Sequence, residues 1–397
     1  MEKKETFIRV GTTLYKIVDQ PRIDGGYVRK RIAWNSETLR QDYGKDYMAS
    51  VPKYDGFCTV PDHVGYKPVV GKFLNLYETI SHQPQEGAFS CIRSLVEHIF
   101  GEQYELGMDY LQLLYLYPIQ KLPILLLVSE ERNTGKSTFL NFLKAVFQNN
   151  VTFNTNEDFR SQFNSDWAGK LLIMVDEVLL NRREDSERLK NLSTTLSYKV
   201  EAKGKDRDEI GFFAKFVLCS NNEHLPVIID AGETRYWVRK IMPLQSDDTD
   251  FLQKLKAEIP AFLRFLQHRQ LSTEKESRMW FNPKLLETDA LRKIVRSNRN
   301  RLEIEMAELL LDIMASVGAS SVCFCLNDII PLLVCSQVKV EKSQVRKVVQ
   351  ECWKLAPASN SLSYITYQYD YNRECRYSPV RRIGRYYTVS KAQLETL

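Results

Sequence analysis

A chain of 397 residues, 44% of them hydrophobic, is long enough for two or three domains rather than one and for a sizeable buried core. Lysine and arginine number 55 against 50 aspartates and glutamates, so the net charge of +5 does not by itself indicate nucleic-acid binding. Such a site has to come from local clusters of basic side chains. MEKKETFIRV lacks the apolar core of a secretory leader, and the longest apolar run, Leu122 to Val128, is too short to span a bilayer and contains Pro123; these features predict a soluble, cytoplasmic protein with no membrane partner.

Eight cysteines without a C-x-x-C pair, and five histidines away from metal-ligand spacing, argue against a zinc site. Cys323 and Cys325 stand among apolar neighbours in VCFCL and are expected to pack as small hydrophobes in a reduced compartment.

In chain order, residues 1–88 carry short apolar runs (FIRVG, YKIV) separated by PRIDGGY and KYDG, which predict short strands and turns in a small α+β region of unknown role. Over 89–117, IRSLVEHIF and MDYLQLLYLY space apolar residues three and four apart, predicting a helical collar. Residues 118–245 alternate strand-like and helix-like segments (PILLLVS, STFLNFLKAVF, KLLIMVDEV, SERLKNLSTTLS, AKFVLCSNN), the pattern of an α/β sheet covered on both faces. Residues 246–290 contain FLQKLKAEIPAFLRFLQHRQL and are expected to be a helical linker, broken or kinked at Pro260. From 291 to 397, three helical patterns (RLEIEMAELLLDIMASV, LNDIIPLLV, KSQVRKVVQECWKL) precede a Tyr/Arg-rich strand-and-turn tail, together resembling a winged helix. No internal repeat or low-complexity tract is evident.

The segment from Glu130 to Thr138 matches the G-x-x-x-x-G-K-[ST] phosphate loop except at its first position, where Glu130 replaces glycine. The run Ile124 to Val128 supplies the preceding strand, and the pattern through Phe147 supplies the helix whose N-terminal amides would face phosphates. Asn133, Thr134, Gly135, Lys136, Ser137 and Thr138 are thus candidate ligands of a nucleotide, Lys136 for the β/γ-phosphates and Ser137 for Mg²⁺. A GKST turn before a helix also arises by chance. Here, however, a second apolar run, Leu171 to Val175, ends in Asp176-Glu177, and adjacent carboxylates leaving a buried strand require compensation. Asp176 is suited to hold Mg²⁺ and Glu177 to polarise an attacking water. A third strand, Phe216 to Ser220, ends at Asn221-Asn222; such a pair is often only a turn, but third in this order Asn221 is placed to orient the water and sense the γ-phosphate.

Phosphate loop, acidic strand and Asn-tipped strand in this order resemble the superfamily 3 helicases of viruses, phages and mobile elements. Asn133 to Ser137 is similar to their NTGKS loop, Trp167-Ala168-Gly169-Lys170 before LLIMVDEV to the segment preceding their acidic strand, and Ser220-Asn221 followed by Leu225-Pro226 to their motif C. Phe73 to Tyr77 more weakly resembles a stretch upstream of the core in phage primase-helicases. The resemblance implies a P-loop, AAA+-like ATPase using ATP and Mg²⁺, and a homo-oligomeric, hexameric ring acting on single-stranded or forked DNA with 3′ to 5′ polarity in phage or mobile-element replication. No primase constellation is recognisable, since Asp19, Asp24, Asp42, Asp46, Asp55 and Asp62 are scattered, which leaves room for a separate primase partner.

A ring implies an arginine supplied in trans; Arg235 is favoured, with Arg239 second. The family's pore hairpin corresponds to the charged turn around Gly204, making Lys203, Lys205 and Arg207 candidate DNA contacts, although a solvated hairpin reads the same. The tail mixes Arg373, Arg376, Arg381, Arg382 and Arg385 with Tyr371, Tyr377, Tyr386 and Tyr387, a combination suited to nucleic acid and equally to an amphipathic hairpin; Arg346 and Lys347 on the preceding helix could join it. The alternative function is a nucleotide-binding switch or scaffold that binds DNA or a protein partner without unwinding, an alternative kept open by the missing first glycine.

Overall fold

The computed structural model describes residues 6–21, 27–159, 167, 169–180, 182–200, 208–230, 232–244, 248–298, 301–335, 340–370 and 376–396. The chain forms two compact units, Met1–Ile294 and Val295–Leu397.

The first unit opens with an antiparallel pair, β1 (Thr6–Val10) and β2 (Thr13–Pro21), turning at Gly11 with φ of 57°. Strand β3 (Tyr27–Ala33) pairs with β2, and β4 (Lys53–Tyr54) runs parallel to β1. Helix α1 (Ser36–Tyr43) is capped by Asn35, whose Oδ1 accepts from Glu37 N at 2.7 Å, and the short α2 (Tyr47–Ser50) follows. Phe7, Leu14, Leu39 and Val51 form the small core beneath. A second sheet holds β5 (Gly56–Cys58), β6 (Val69–Val70) and β7 (Phe73–Asn75) in the order β5-β7-β6. Its organiser is Asn75, whose amide oxygen accepts from Val60 N and Tyr77 N and whose nitrogen donates to Val60 O and Lys67 O.

Two helices, α3 (Ser90–Phe100) and α4 (Tyr104–Leu116), then lead into the central sheet. In α4 every residue from Leu106 to Tyr115 is buried, including Asp109, whose carboxylate accepts from the Ser272 and Thr273 amides and hydroxyls and pairs with Arg269. A buried carboxylate with that many donors is compensated, and it ties α4 to the chain beyond the core's last helix.

The sheet contains β8 (Ile124–Val128), β9 (Val151–Phe153), β10 (Leu172–Val175), β13 (Lys215–Ser220) and β14 (Tyr236–Lys240), all parallel, in the order β14-β8-β13-β10-β9. Between them lie α5 (Lys136–Phe147), α6 (Arg183–Thr194) and an antiparallel hairpin stem of β11 (Ser197–Val200) and β12 (Asp208–Gly211). Strands β8, β10 and β13 are buried at every position, as parallel strands covered on both faces must be. The edge strands β9 and β14 have no counterpart in the sequence reading: one is only three residues long and the other carries Arg239 and Lys240 in its run.

Helix α7 (Phe251–His268) lies in the span expected to be a linker, and it continues through Pro260 without a break. Its Leu255, Ile259, Phe262, Leu263 and Leu266 are buried in the same core as α3, α4 and α5. That burial stabilises the helix by more than a proline costs an isolated one, about 3 kcal/mol, since each fully buried large side chain contributes about 1.5–3 kcal/mol. Helix α8 (Asp289–Ser297) contains the boundary between the units at Ile294.

The second unit runs α9 (Arg301–Val317), β15 (Ser321–Phe324), α10 (Leu326–Cys335), α11 (Lys342–Lys347) with a π turn over Val348–Cys352, β16 (Leu362–Tyr369), β17 (Tyr377–Gly384), β18 (Tyr387–Ser390) and α12 (Lys391–Thr396). The Tyr/Arg-rich tail forms the β16–β17 hairpin, while β15, containing Cys323, pairs with β18 around the unit's own core. No described helix is long and apolar enough to cross a membrane.

Candidate active site

The three strands β8, β10 and β13 are neighbours or near neighbours in one parallel sheet, so their C-terminal ends lie at one edge, the place where open α/β sheets bind ligands. From Val128 the chain turns through residues 129–135 into α5. Two of these positions are left-handed, Asn133 at φ 53° and Gly135 at φ 79°. Glu130 is not among the positive-φ residues, so the position where the phosphate-loop pattern asks for glycine needs no glycine conformation here. Its amide instead donates to Glu223 Oε1 at 3.2 Å. Further ties hold the loop: Leu244 N donates to Asn133 O at 3.0 Å, His98 Nε2 lies 3.0 Å from Thr134 O, and Ser129 Oγ donates to Glu131 O at 2.8 Å. The loop leads directly into the N-terminus of α5, and a helix N-terminus is a favourable place for an anion.

Lys136 is only 6% exposed, and its ammonium donates to Ser129 Oγ, to Thr134 Oγ1 at 3.0 Å and to Asn221 Oδ1 at 3.0 Å. Burial pulls its pKa below the ordinary lysine value, opposed by the nearby Cys219, Asp176, Glu223 and Glu177. A cation satisfied by neutral oxygens is ready to exchange them for phosphate oxygens. Next to it, Ser137 Oγ donates to Asp176 Oδ2 at 2.8 Å, bringing together a hydroxyl and a carboxylate, hard oxygen ligands of the kind Mg²⁺ prefers. Asn221 Nδ2 reaches Glu177 Oε1 at 3.4 Å, and Glu177 itself sits at φ 62°, an uncommon conformation for a residue with a side chain. Lys136, Ser137, Asp176, Glu177 and Asn221 therefore converge on one edge, with Asn133, Thr134 and Gly135 in the loop above them; Thr138 follows in α5, half-buried.

The remaining named residues lie elsewhere. Arg235 precedes β14, and its carbonyl accepts from Ile124 N at the start of β8. It is thus at the opposite edge of the sheet from its own phosphate loop, about 13 Å away along four strand rises. Both Nη1 contacts, 2.7 and 2.9 Å, are to the Glu233 carboxylate. Arg239 is buried in β14 and donates to Glu102, Gln103 and Phe100 O, a structural bond between the sheet and the end of α3. Lys203, Lys205 and Arg207 lie outside the described residues; the strands flanking them pair antiparallel from Ser197↔Gly211 to Val200↔Asp208. Among the described residues no group of three or more His, Cys, Asp or Glu side chains is placed to hold a metal ion.

Sequence reasoning missed Glu223. Its carboxylate accepts from Glu130 N, from Lys240 Nζ at 3.1 Å and from Lys293 Nζ at 2.9 Å, so one side chain joins the phosphate loop, the tip of β13, the end of β14 and α8. Burial alone would raise its carboxyl, but the hydrogen bonds and charges of Lys293 and Lys240 together hold it below the usual glutamate range. Its only sequence signal is adjacency to Asn221-Asn222.

Residues 127–236, from the end of β8 to the start of β14, match a model described as a family of unknown function (DUF5906). No curated protein matches the chain. Among solved structures, the apo C-terminal region of NrS-1 (305–718) aligns over 96% of this chain and 95% of its own, at 17% identity and a TM-score of 0.65. An A-form apo structure of that region aligns over 94% and 96%, at 15% identity and 0.61. At such identities the likeness is one of fold, and it spans both units. A JCV helicase structure aligns over 58% of this chain at a TM-score of 0.32, too low to carry an argument.

Proposed function

We propose that this chain is an ATP- and Mg²⁺-dependent DNA translocase of the superfamily 3 helicase type, an ATP hydrolase with an AAA+-like core. The observation that carries the reading is the contact of Lys136 with Asn221 and of Asn221 with Glu177, beside the Ser137–Asp176 pair: cation, sensor amide, acid and metal-type ligands occur together at the C-terminal edge of a parallel sheet.

The division of labour follows from chemistry. Lys136 and the loop amides bind the β/γ-phosphates, and Ser137 and Asp176 hold Mg²⁺, which neutralises charge on the phosphates when bound. Glu177 accepts a proton from the attacking water, and Asn221 orients that water. Arg235 cannot serve its own phosphate loop from the opposite sheet edge, so its use as an arginine finger requires a neighbouring copy in a hexameric ring and release from Glu233. The segment carrying Lys203, Lys205 and Arg207 grips single-stranded DNA in the pore, so that the enzyme advances 3′ to 5′ along the strand as each interface turns over. The second unit, with helices α9, α10 and α11 and the β16–β17 hairpin, acts as a winged-helix module for nucleic acid, and a separate primase partner would complete the replication function.

The rival reading, a nucleotide switch or scaffold without unwinding, drew its support from the missing first glycine. Glu130 takes that position without a positive φ and with its amide bonded to Glu223, which supports the phosphate-loop reading over the rival. Displacement of the labelled strand of a forked duplex with ATP, against a Lys136→Ala control, tests the proposal; ATP hydrolysis with no strand displacement would return the protein to the rival class.

A further inference from the structure

Glu177 has a backbone that must be held. At φ 62° it occupies a region that residues with side chains rarely adopt, and its conformation decides where its carboxylate lies relative to Asn221. The turn 176–180 is pinned on the β13 side, where Val178 N donates to Cys219 O at 2.7 Å and Leu180 N to Pro226 O at 2.8 Å. Neither bond touches Glu177 itself.

On the opposite side lies the loop leaving β9. Asn156 Nδ2 donates to Glu177 O at 3.1 Å, and its Oδ1 accepts from Leu179 N at 2.9 Å, so one amide group spans the strained residue from its carbonyl to the second amide beyond it. The Asn156 loop is itself fixed. Asn154 N donates to Met174 O at 2.8 Å, extending the β9–β10 ladder. Asp158 Oδ2 accepts from Thr155 N at 2.6 Å and from Thr155 Oγ1 at 2.9 Å, closing the turn around Asn156. Phe159 is fully buried, 5.0 Å from Trp167 and 6.1 Å from Phe216 between ring centroids.

We infer that Asn156 is a positioning residue for Glu177: its amide holds the left-handed turn that aims the carboxylate at the attacking water, without touching nucleotide. This rests on the reading of Glu177 as the group that accepts the water's proton. The side chain must donate to a carbonyl and accept from an amide at once, and the asparagine does so with two separate atoms, Nδ2 and Oδ1. Aspartate keeps the acceptor toward Leu179 N but sets an oxygen against Glu177 O.

The test compares the full chain with Asn156→Ala, Asn156→Asp, Glu177→Gln and Lys136→Ala, measuring ATP turnover, binding of a fluorescent ATP analogue and thermal melting. Asn156→Ala is expected to lower kcat by up to about 10²-fold, the scale of a catalytic group misplaced by about 1 Å, while KM, analogue binding and melting stay at the wild-type values. Asn156→Asp should fail to restore kcat. Wild-type kcat in Asn156→Ala, recovery in Asn156→Asp, or a loss of binding and melting in step with kcat would each overturn the inference. Normal turnover in Glu177→Gln would instead overturn the reading of Glu177, and the two failures are thereby told apart.

Discussion

The Lys136 ammonium lies 3.0 Å from the side-chain oxygen of Asn221, joining the first residue of α5 to the tip of strand β13 across 85 residues of sequence. Asn221 also reaches Glu177 Oε1 at 3.4 Å, so one amide group lies between the ammonium and the carboxylate. The proposed chemistry divides along this line, with phosphate charge on the Lys136 side and water on the Glu177 side.

Lys136→Ala and Glu177→Gln should therefore both abolish turnover yet differ in binding. Lys136 supplies charge to the phosphates, whereas Glu177 acts on the water. A labelled ATP analogue should stay bound to the Glu177 variant and be lost from the Lys136 variant; equal binding by Lys136→Ala and wild type would refute the phosphate-loop assignment.

Arg235→Ala should leave ATP binding intact and suppress hydrolysis by roughly 10³–10⁵-fold, the range known for arginine fingers. Because Arg235 and the phosphate loop occupy opposite sheet edges, the shared site is testable by mixing subunits. Rings combining Arg235→Ala with Glu177→Gln subunits should regain part of their turnover where intact halves meet. Verified mixed rings with no recovery would count against catalysis in trans.

Replacing Lys203 and Lys205 together with alanine should spare basal hydrolysis, remove stimulation by single-stranded DNA and stop unwinding. Each lost phosphate contact should flatten the slope of log affinity against log salt by about 0.7 for a single strand. An unchanged slope with normal unwinding would make this loop a solvated hairpin.

The base of that hairpin carries a pH dependence. Lys121 donates to Phe212 O at 2.7 Å, and burial pushes its pKa down to about 8 from the ordinary 10.5. Between those values the unfolded chain binds more protons than the folded one, so this group's contribution to stability rises with pH from about 8 to 10.5; below about 8 the buried charge costs its full penalty. Lys215, fully buried and donating to Pro118 O, is lowered by burial and secondarily by Lys121, which adds to the same slope. Denaturant unfolding across this window should show wild type gaining stability relative to Lys121→Met, and parallel curves would mean that Lys121 titrates as an exposed lysine does.

Much of the proposed nucleotide edge was legible in sequence because its signals are local. The runs Ile124–Val128 and Leu172–Val175 are unbroken apolar stretches, as strands buried on both faces have to be, and each is followed at once by the residues it delivers: the loop to Lys136, and Asp176-Glu177. Helices α9 and α10 were likewise visible through their apolar spacing. What only the tertiary structure decided depends on partners distant in sequence. Arg235 and Arg239 look alike in GETRYWVRK, yet one lies before the strand against Glu233 and the other is buried against Glu102, a difference set by the packing of β14 beside α3. Glu130, where the loop pattern has glycine, donates its amide to Glu223, 93 residues away. Asn156 became meaningful only when β9 paired with β10 and brought an unremarkable polar loop against Glu177. Local periodicity determines which segments become strands and helices, but the hydrogen-bond partner of a buried or strained group is chosen by the order of the strands in the sheet, and no spacing along the chain records that order.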